Sequence, residues 1–299
     1  MRVFVTGATG YVGGAVAERL RQAGHTVAAL ARSDEAAERV YAAGMHPVRG
    51  GLADVQVLAQ ECALADAVVH CAMEQSRDAV LLDRAVVEAV LDALSDSGKA
   101  FVYTSGTAVV GDTGGAVADE STPVDPAGPV AWRAAHEALV TGAVDRGVRG
   151  IVIRPSLVYG RGGNGIVNQQ VDVARSGRMV RYVGSGANRW STVHVDDLAD
   201  LYLLAVERAP AGSTWVAEGG ESVSMADLAE AASRAGGGGG RTQSLSVDEA
   251  RASLGWMARL LSLNLTVSSA RARNELGWRP HRPTLREELR SGSYADTLV

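Results

Sequence analysis

Lysine is almost missing from this chain. Of 29 basic residues one is lysine, Lys99, and the other 28 are arginine. Any chemistry that needs a lysine ammonium must use Lys99 or do without. The bias also matches the coding preference of a GC-rich bacterial genome, so a bacterial source is expected. Cysteine is nearly as scarce. Cys62 and Cys71 are too few for a disulfide framework, and no Cys/His cluster has the spacing of a zinc site. A reducing cytoplasm and no metal are therefore expected. No uninterrupted apolar stretch approaches the ~18 residues of a membrane span. The opening residues MRVFVTGATG enter a strand at once, without the pattern of a signal peptide. Charge of one sign is lacking too: 34 acidic against 29 basic residues leave a formal −5, with no basic excess to advertise a nucleic-acid partner.

What is present is ordinary for a globular protein: 299 residues, 46% hydrophobic, with 35 glycines that favour turns and close backbone approaches. The length suits one large or two ordinary domains. Short β-branched runs alternate with helical patterns. Strands are expected at 2–6, 26–30, 46–48, 65–72, 100–105 and 150–156, and 214–218 is a candidate seventh. Helices are expected from the first glycine turn to about Gly24, with Val12, Val16, Leu20 and Ala23 on its apolar stripe, and then at 34–43, from 54, at 78–96 and at 130–146. Asp34 reads as the cap of the second helix. This alternation predicts an α/β fold with a parallel sheet covered on both faces. Beyond Tyr159 the pattern loosens. Helices near 167–176 and 195–207 flank a loop at 184–188, and the glycine run at 236–240 reads as a connector.

The strongest motif is Thr6-Gly7-Ala8-Thr9-Gly10-Tyr11-Val12-Gly13, placed after a strand and opening a helix. Gly7 permits a tight turn, Gly10 lets backbone approach a pyrophosphate, and Gly13 lets helix and strand pack closely. The helix N-terminus adds free N–H groups and a positive dipole end. The second strand ends in Leu30-Ala31-Arg32-Ser33, with no carboxylate at its tip. Arg32 can pair with a ribose 2′-phosphate and Ser33 can donate to it, which favours NADP(H) over NAD.

With these residues in place, the sequence resembles the extended and atypical short-chain dehydrogenase/reductases, the superfamily that includes NAD-dependent epimerases and dehydratases. The motifs are TGATGYVG at 6–13, Asp66-Ala67-Val68-Val69-His70, Phe101-Val102-Tyr103-Thr104-Ser105, Arg154-Pro155-Ser156-Leu157-Val158-Tyr159-Gly160, the segment Asn188 to Asp197, and Leu276-Gly277-Trp278-Arg279-Pro280. The resemblance implies a Rossmann doubly wound parallel sheet with a smaller, discontinuous C-terminal substrate-binding domain. The Rossmann part would be 1–160, taking back about 191–218, and the cap would be 161–190 with 219–299. It also implies a cofactor lying along Gly7, Thr9, Gly10, Tyr11, Val12, Gly13, Arg32, Ser33, Leu52, Cys71, Ala72, Met73, Thr104, Pro155 and Leu157. Gly51 stands where the superfamily usually has an aspartate. Members often form homodimers, and the partner expected otherwise is a small-molecule substrate.

The superfamily's usual chemistry uses a tyrosine acid/base, a lysine four residues later and a serine or threonine on the fifth strand. Four residues on a helix bring two side chains together. Here Ser95 stands four residues before Lys99, so no Tyr-x-x-x-Lys pair occurs. Aligned on Glu137, the helix puts Arg133 at the lysine position and Pro129 at the tyrosine position. Aligned on Val109-Val110-Gly111, the strand puts Gly106 at the serine position, flanked by Ser105 and Thr107. Candidate catalytic residues are therefore Thr107, Ser105, Arg133 and His194. Arginine stays charged and relays protons poorly, but it can hold ribose hydroxyls. His194 precedes Asp196-Asp197, which read as a helix cap. His136 reads as a solvent-facing helix residue, His70 as a packed one and Tyr159 as scaffold. Trp132, Tyr182 and Trp190 are expected near the pocket. The resulting expectation is an NADPH-dependent oxidoreductase of secondary metabolism acting on a small aromatic or polyketide-like metabolite. Two alternatives stand beside it: a non-redox cyclase, dehydratase or isomerase on the same scaffold, and a protein that senses NADP(H) without turnover.

Overall fold

Val3, Phe4 and Val5 have no exposed surface on either side of their strand, which requires helices on both faces of the sheet around it. A computed structural model shows this arrangement. It describes residues 1–295 apart from 75, 127–129 and 164. Pro129, read as standing at the tyrosine position, lies outside the described residues.

The first half alternates as β1 (Arg2–Thr6), α1 (Tyr11–Gln22), β2 (Thr26–Ala31), α2 (Asp34–Ala42), β3 (His46–Arg49), α3 (Val55–Leu64), β4 (Ala67–His70), α4 (Ala79–Ala93), β5 (Ala100–Thr104), α5 (Trp132–Thr141) and β6 (Arg149–Pro155). Then come β7 (Leu157–Tyr159), α6 (Ile166–Arg175), β8 (Val180–Val183), β9 (Arg189–His194), α7 (Val195–Arg208), β10 (Ser213–Ala217), β11 (Ser222–Ser224), α8 (Met225–Ala235) and β12 (Thr242–Leu245). The main sheet has seven parallel strands in the order β10-β6-β5-β4-β1-β2-β3. Chain order reverses between β1 and β4, the crevice where open α/β sheets bind ligands. The candidate strand at 214–218 is real and pairs with β6 from Ser213 to Ala217.

Two apolar cores sandwich the sheet. On one face Val3, Val5, Ile151 and Ile153 pack under α1 and α7. On the other Phe4, Val68, Phe101 and Val152 pack under α3, α4 and α5. A third core, around Trp190, Leu228, Leu285 and Tyr294, packs beside the three-stranded sheet β11-β9-β7.

Several expectations need correction. Ala23 caps the C-terminus of α1 and is exposed; Ala15 and Ala17 share its buried face with Val16 and Leu20 instead. The second helix is capped by Ser33, whose hydroxyl accepts from the Ala36 amide, while Asp34 lies one residue inside and pairs with Arg49 at 3.1 Å. The helix expected through Arg146 gives way at Gly142 to a tighter 3₁₀ turn. Among the described residues no helix is long and apolar enough to cross a membrane.

Candidate active site

The glycine turn shows why each glycine is there. Gly7 sits at φ +78°, and a Cβ on it would lie 2.6 Å from the Ala72 amide nitrogen. A Cβ on Gly13 would lie 2.3 Å from the Gly7 carbonyl oxygen. α1 therefore approaches β1 and the tip of β4 as closely as bare backbone allows. Gly10 caps α1 in an extended conformation with no side-chain hydrogen bond to the helix start. Amides of the first turn thus face an open cradle, which is the geometry an anionic pyrophosphate needs. The residues present fit a dinucleotide.

Several other expected cofactor residues lie at strand ends: Arg32 after β2, Cys71 after β4 and Thr104 at the end of β5. Cys71 Sγ accepts from the Thr104 hydroxyl at 3.3 Å, and that hydroxyl also meets the buried Tyr202 hydroxyl at 2.6 Å. Burial pushes the Cys71 thiol up to about 11 despite these hydrogen bonds, so it behaves as a neutral packing group. Leu52 is half-buried against the core under α3. Arg32 projects into solvent at the tip of β2, its guanidinium 3.7 Å from Glu74. Ser33 is engaged as the cap of α2.

Beyond the turn, a cavity of about 270 Å³ opens past the C-terminal ends of β5 and β6. Its floor is Gly106, Thr107, Pro155, Ser156 and Leu157, and Tyr11 closes the side next to the glycine turn. Trp190, Ile166, Leu260 and Leu265 close the cap side, with Ser191 beside them. No charged side chain lines it among the described residues. A larger cavity of about 360 Å³ in the cap, edged by Arg234, Arg286 and Arg290, shares no residue with the turn.

The candidate catalytic residues divide. Thr107 lines the cavity and is buried. Ser105, two residues earlier, is buried with its hydroxyl unpartnered among the described residues, and it is not part of the lining. Arg133 donates to the Thr104 carbonyl at 2.8 Å and to Met73 Sδ at 3.2 Å, its guanidinium stacked 4.6 Å over Trp132. It thereby bridges the tips of β4 and β5. His194 caps α7, its Nδ1 accepting from the Asp196 amide at 3.1 Å, and burial lowers its pKa. Its ring packs against Gly160, where a Cβ would meet Nε2 at 2.3 Å, and it is not among the residues that line the cavity. The tyrosine read as scaffold, Tyr159, donates to the Pro283 carbonyl at 2.8 Å. Of the three aromatics expected near the pocket, Trp190 lines it and Trp132 and Tyr182 do not.

Sequence reasoning missed a buried carboxylate shared by three side chains. Asp83, on α4, accepts from His70 Nε2 at 3.1 Å, His136 Nδ1 at 2.7 Å and the Tyr103 hydroxyl at 2.8 Å. His70 Nδ1 in turn meets the Thr6 hydroxyl at 2.6 Å. All five residues are buried. His136 is therefore no solvent-facing residue but a link between α5 and α4. Its helix neighbour Glu137 makes a buried bidentate ion pair with Arg154 at 2.6–3.2 Å.

The comparisons with known proteins agree with this geometry. The model of the NAD dependent epimerase/dehydratase family matches residues 3–217. The chain belongs to that family. An uncharacterised protein of Schizosaccharomyces pombe is 33% identical over 98% of this chain and 100% of its own length. The 4-hydroxy-2-methyl-3-oxo-4-farnesyl-3,4-dihydroquinoline-1-oxide ketoreductase of Stigmatella aurantiaca is 35% identical over 75% of this chain and 70% of its own. DesIV, a dTDP-glucose 4,6-dehydratase of Streptomyces venezuelae solved with NAD and TYD bound, superposes with a TM-score of 0.83 at 21% identity, covering 98% of this chain and 96% of that one. At that identity the likeness establishes the fold, a Rossmann sheet with flanking helices.

Membership marks the chain as an enzyme of the oxidoreductase, epimerase or dehydratase kind. The relatives do not support a bacterial source in particular, since a yeast protein is among them. Within the family's frame, the one lysine is far from the chemistry. Lys99 precedes the N-terminal end of β5 and donates to the Ala63 carbonyl at 2.9 Å, whereas the cavity lies past the strand's C-terminal end. One further cluster, Asp197, Asp200 and His281, brings potential ligand atoms within 4.8 Å of one another. Asp197 accepts there from the His281 and Arg282 amides, and Asp200 pairs with Arg19.

Proposed function

We propose that this protein is an NADPH-dependent reductase of a small, uncharged carbonyl metabolite of aromatic or polyketide-like character. The observation that carries the reading is the cavity of about 270 Å³ that shares Tyr11 with the glycine turn and is lined by apolar and hydroxyl-bearing side chains alone. A nucleotide sugar carries a diphosphate, and binding it in such a lining would bury charge without a partner, at high cost. A neutral ketone fits the lining. That a ketoreductase stands among the relatives supports the same choice.

NADPH, when bound, supplies the hydride. Gly7, Gly10 and the first-turn amides of α1 would hold its pyrophosphate, and Arg32 its 2′-phosphate. Arg133, already stretched between the tips of β4 and β5, would hold ribose hydroxyls in place of a lysine. Thr107 would hydrogen-bond the substrate. The developing alkoxide takes its proton from water, because a permanently charged arginine cannot deliver one. The cap, 161–190 with 219–299, would set substrate choice.

Two measurements test this. Tryptophan fluorescence titrations should show NADPH binding more tightly than NADH. Arg32→Ala should weaken NADPH about tenfold or more, consistent with loss of a charge-assisted phosphate contact, and leave NADH unchanged. Equal affinity of the native protein for both cofactors sinks the 2′-phosphate assignment. NADPH absorbance should also fall when neutral aryl or polyketide ketones are supplied. Product formed without any nicotinamide would instead establish the non-redox alternative.

A further inference from the structure

Arg133 is held from two sides before any ligand arrives. On one side its Nη1 donates to the Thr104 carbonyl at 2.8 Å and its Nη2 to Met73 Sδ at 3.2 Å. Those bonds leave other N–H donors of the guanidinium for a ligand. On the other side lies the Trp132 indole, its centroid 4.6 Å from the guanidinium carbon. Trp132 is half-buried and does not line the cavity, so its ring is no part of the substrate wall.

The indole is itself braced. α5 begins at Trp132 with no side-chain hydrogen bond capping its first turn, and helix ends left uncapped fray. Four residues on, along the same helix face, the His136 ring meets the indole edge-on, with centroids 5.0 Å apart and planes at 62°. His136 is buried and fixed, because its Nδ1 bonds the Asp83 carboxylate at 2.7 Å. A chain of contacts thus runs from Asp83 on α4 through His136 and Trp132 to Arg133 at the tips of β4 and β5. Such a seat matters for a side chain as long as arginine. A guanidinium already stacked on an aromatic face gives up less freedom when it meets a ligand.

We propose that Trp132 is a positioning residue for Arg133: its indole, braced by His136, seats the guanidinium where it meets the hydroxyls of the cofactor's nicotinamide ribose. The role rests on the reading of Arg133 as the residue that holds those hydroxyls. Trp132 acts through Arg133 alone.

Calorimetric titration is the suitable measurement, since Trp132 is itself a fluorophore. NADP⁺ carries the nicotinamide ribose, and 2′,5′-ADP is the adenosine half without it. Trp132→Leu is expected to weaken NADP⁺ about two- to fivefold, the loss of a partly exposed cation–π contact, and to leave 2′,5′-ADP unchanged. Trp132→Phe keeps an aromatic face and is expected to recover most of the NADP⁺ affinity. In an Arg133→Ala background Trp132→Leu is expected to cost nothing further, because residues that act through one contact are not additive. NAD⁺ against ADP repeats the comparison without a 2′-phosphate, so the outcome does not depend on Arg32. The proposal is overturned if Trp132→Leu weakens both members of a pair alike, because the indole then merely holds α5 in place. It is equally overturned if Trp132→Leu binds NADP⁺ as the native protein does, or if its penalty persists in full without Arg133. Native NADP⁺ affinity in Arg133→Ala removes the ribose-holding reading as well, whereas a loss in Arg133→Ala with none in Trp132→Leu removes the positioning role alone.

Discussion

Gly13→Ala is expected to abolish measurable nicotinamide binding while leaving the sheet folded. The added methyl would fall 2.3 Å from the Gly7 carbonyl oxygen, 2.7 Å from its carbonyl carbon and 3.1 Å from Cys71 Cβ. The first two are backbone atoms that cannot rotate away, so α1 must retreat from β1. Overpacking of this kind costs about 1–3 kcal/mol in stability, which a core of this size absorbs. The functional cost is larger. The retreat carries away Gly10 and the first-turn amides, which must converge on one pyrophosphate. Losing two charge-assisted hydrogen bonds of about 1.5–3 kcal/mol each weakens binding by roughly two orders of magnitude or more. Fluorescence titration with NADPH measures this, and near-native far-UV circular dichroism confirms that the sheet persists. Native affinity in Gly13→Ala would falsify the assignment of the turn as the cofactor cradle.

The second large effect concerns stability. Asp83→Ala is expected to destabilise the fold by about 3–5 kcal/mol, the cost typical of removing one member of a buried charged network. The carboxylate is the shared acceptor for His70, His136 and Tyr103, all buried, and its removal leaves three polar groups bare at once. Burial by itself pushes the Asp83 pKa up. The hydrogen bonds from His136 and His70, the His70 charge and the Tyr103 hydroxyl outweigh it, and hold the group well below its ordinary value of 3.8. The sign of the pH dependence follows from that depression. Ionised Asp83 contributes its full stability above the ordinary carboxylate value, and the contribution is lost as pH falls through 3.8 towards the lower folded value. Urea denaturation of the native protein and Asp83→Asn should therefore differ most at neutral pH and converge in acid. A gap that stays constant from pH 7 to pH 3 would show that the charge of Asp83 is immaterial.

Both predictions involve residues whose importance was unequally visible. Gly13 was legible because its constraint is local: a strand, a tight turn and a helix start, all within a dozen residues, leave a repeating signature. The parallel sheet was legible for the same reason, since alternating strands and helices force parallel crossovers. Asp83 was not. Its partners lie 13, 20 and 53 residues away. On a sequence, an aspartate within a helix reads as a solvated face, and so did His136. Their meeting depends on how α4 and α5 pack side by side on one face of the sheet.

By itself the sequence determined the glycine cradle, the doubly wound sheet, the family and the absence of a Tyr-x-x-x-Lys pair, because each of these is written in neighbouring residues or in bare composition. The tertiary structure alone decided which side chains meet. It set Lys99 at the opposite end of β5 from the cavity, made His194 a helix cap and joined His136 to His70 through Asp83. Those outcomes depend on contacts between distant segments, where burial and desolvation act, and no local pattern encodes them.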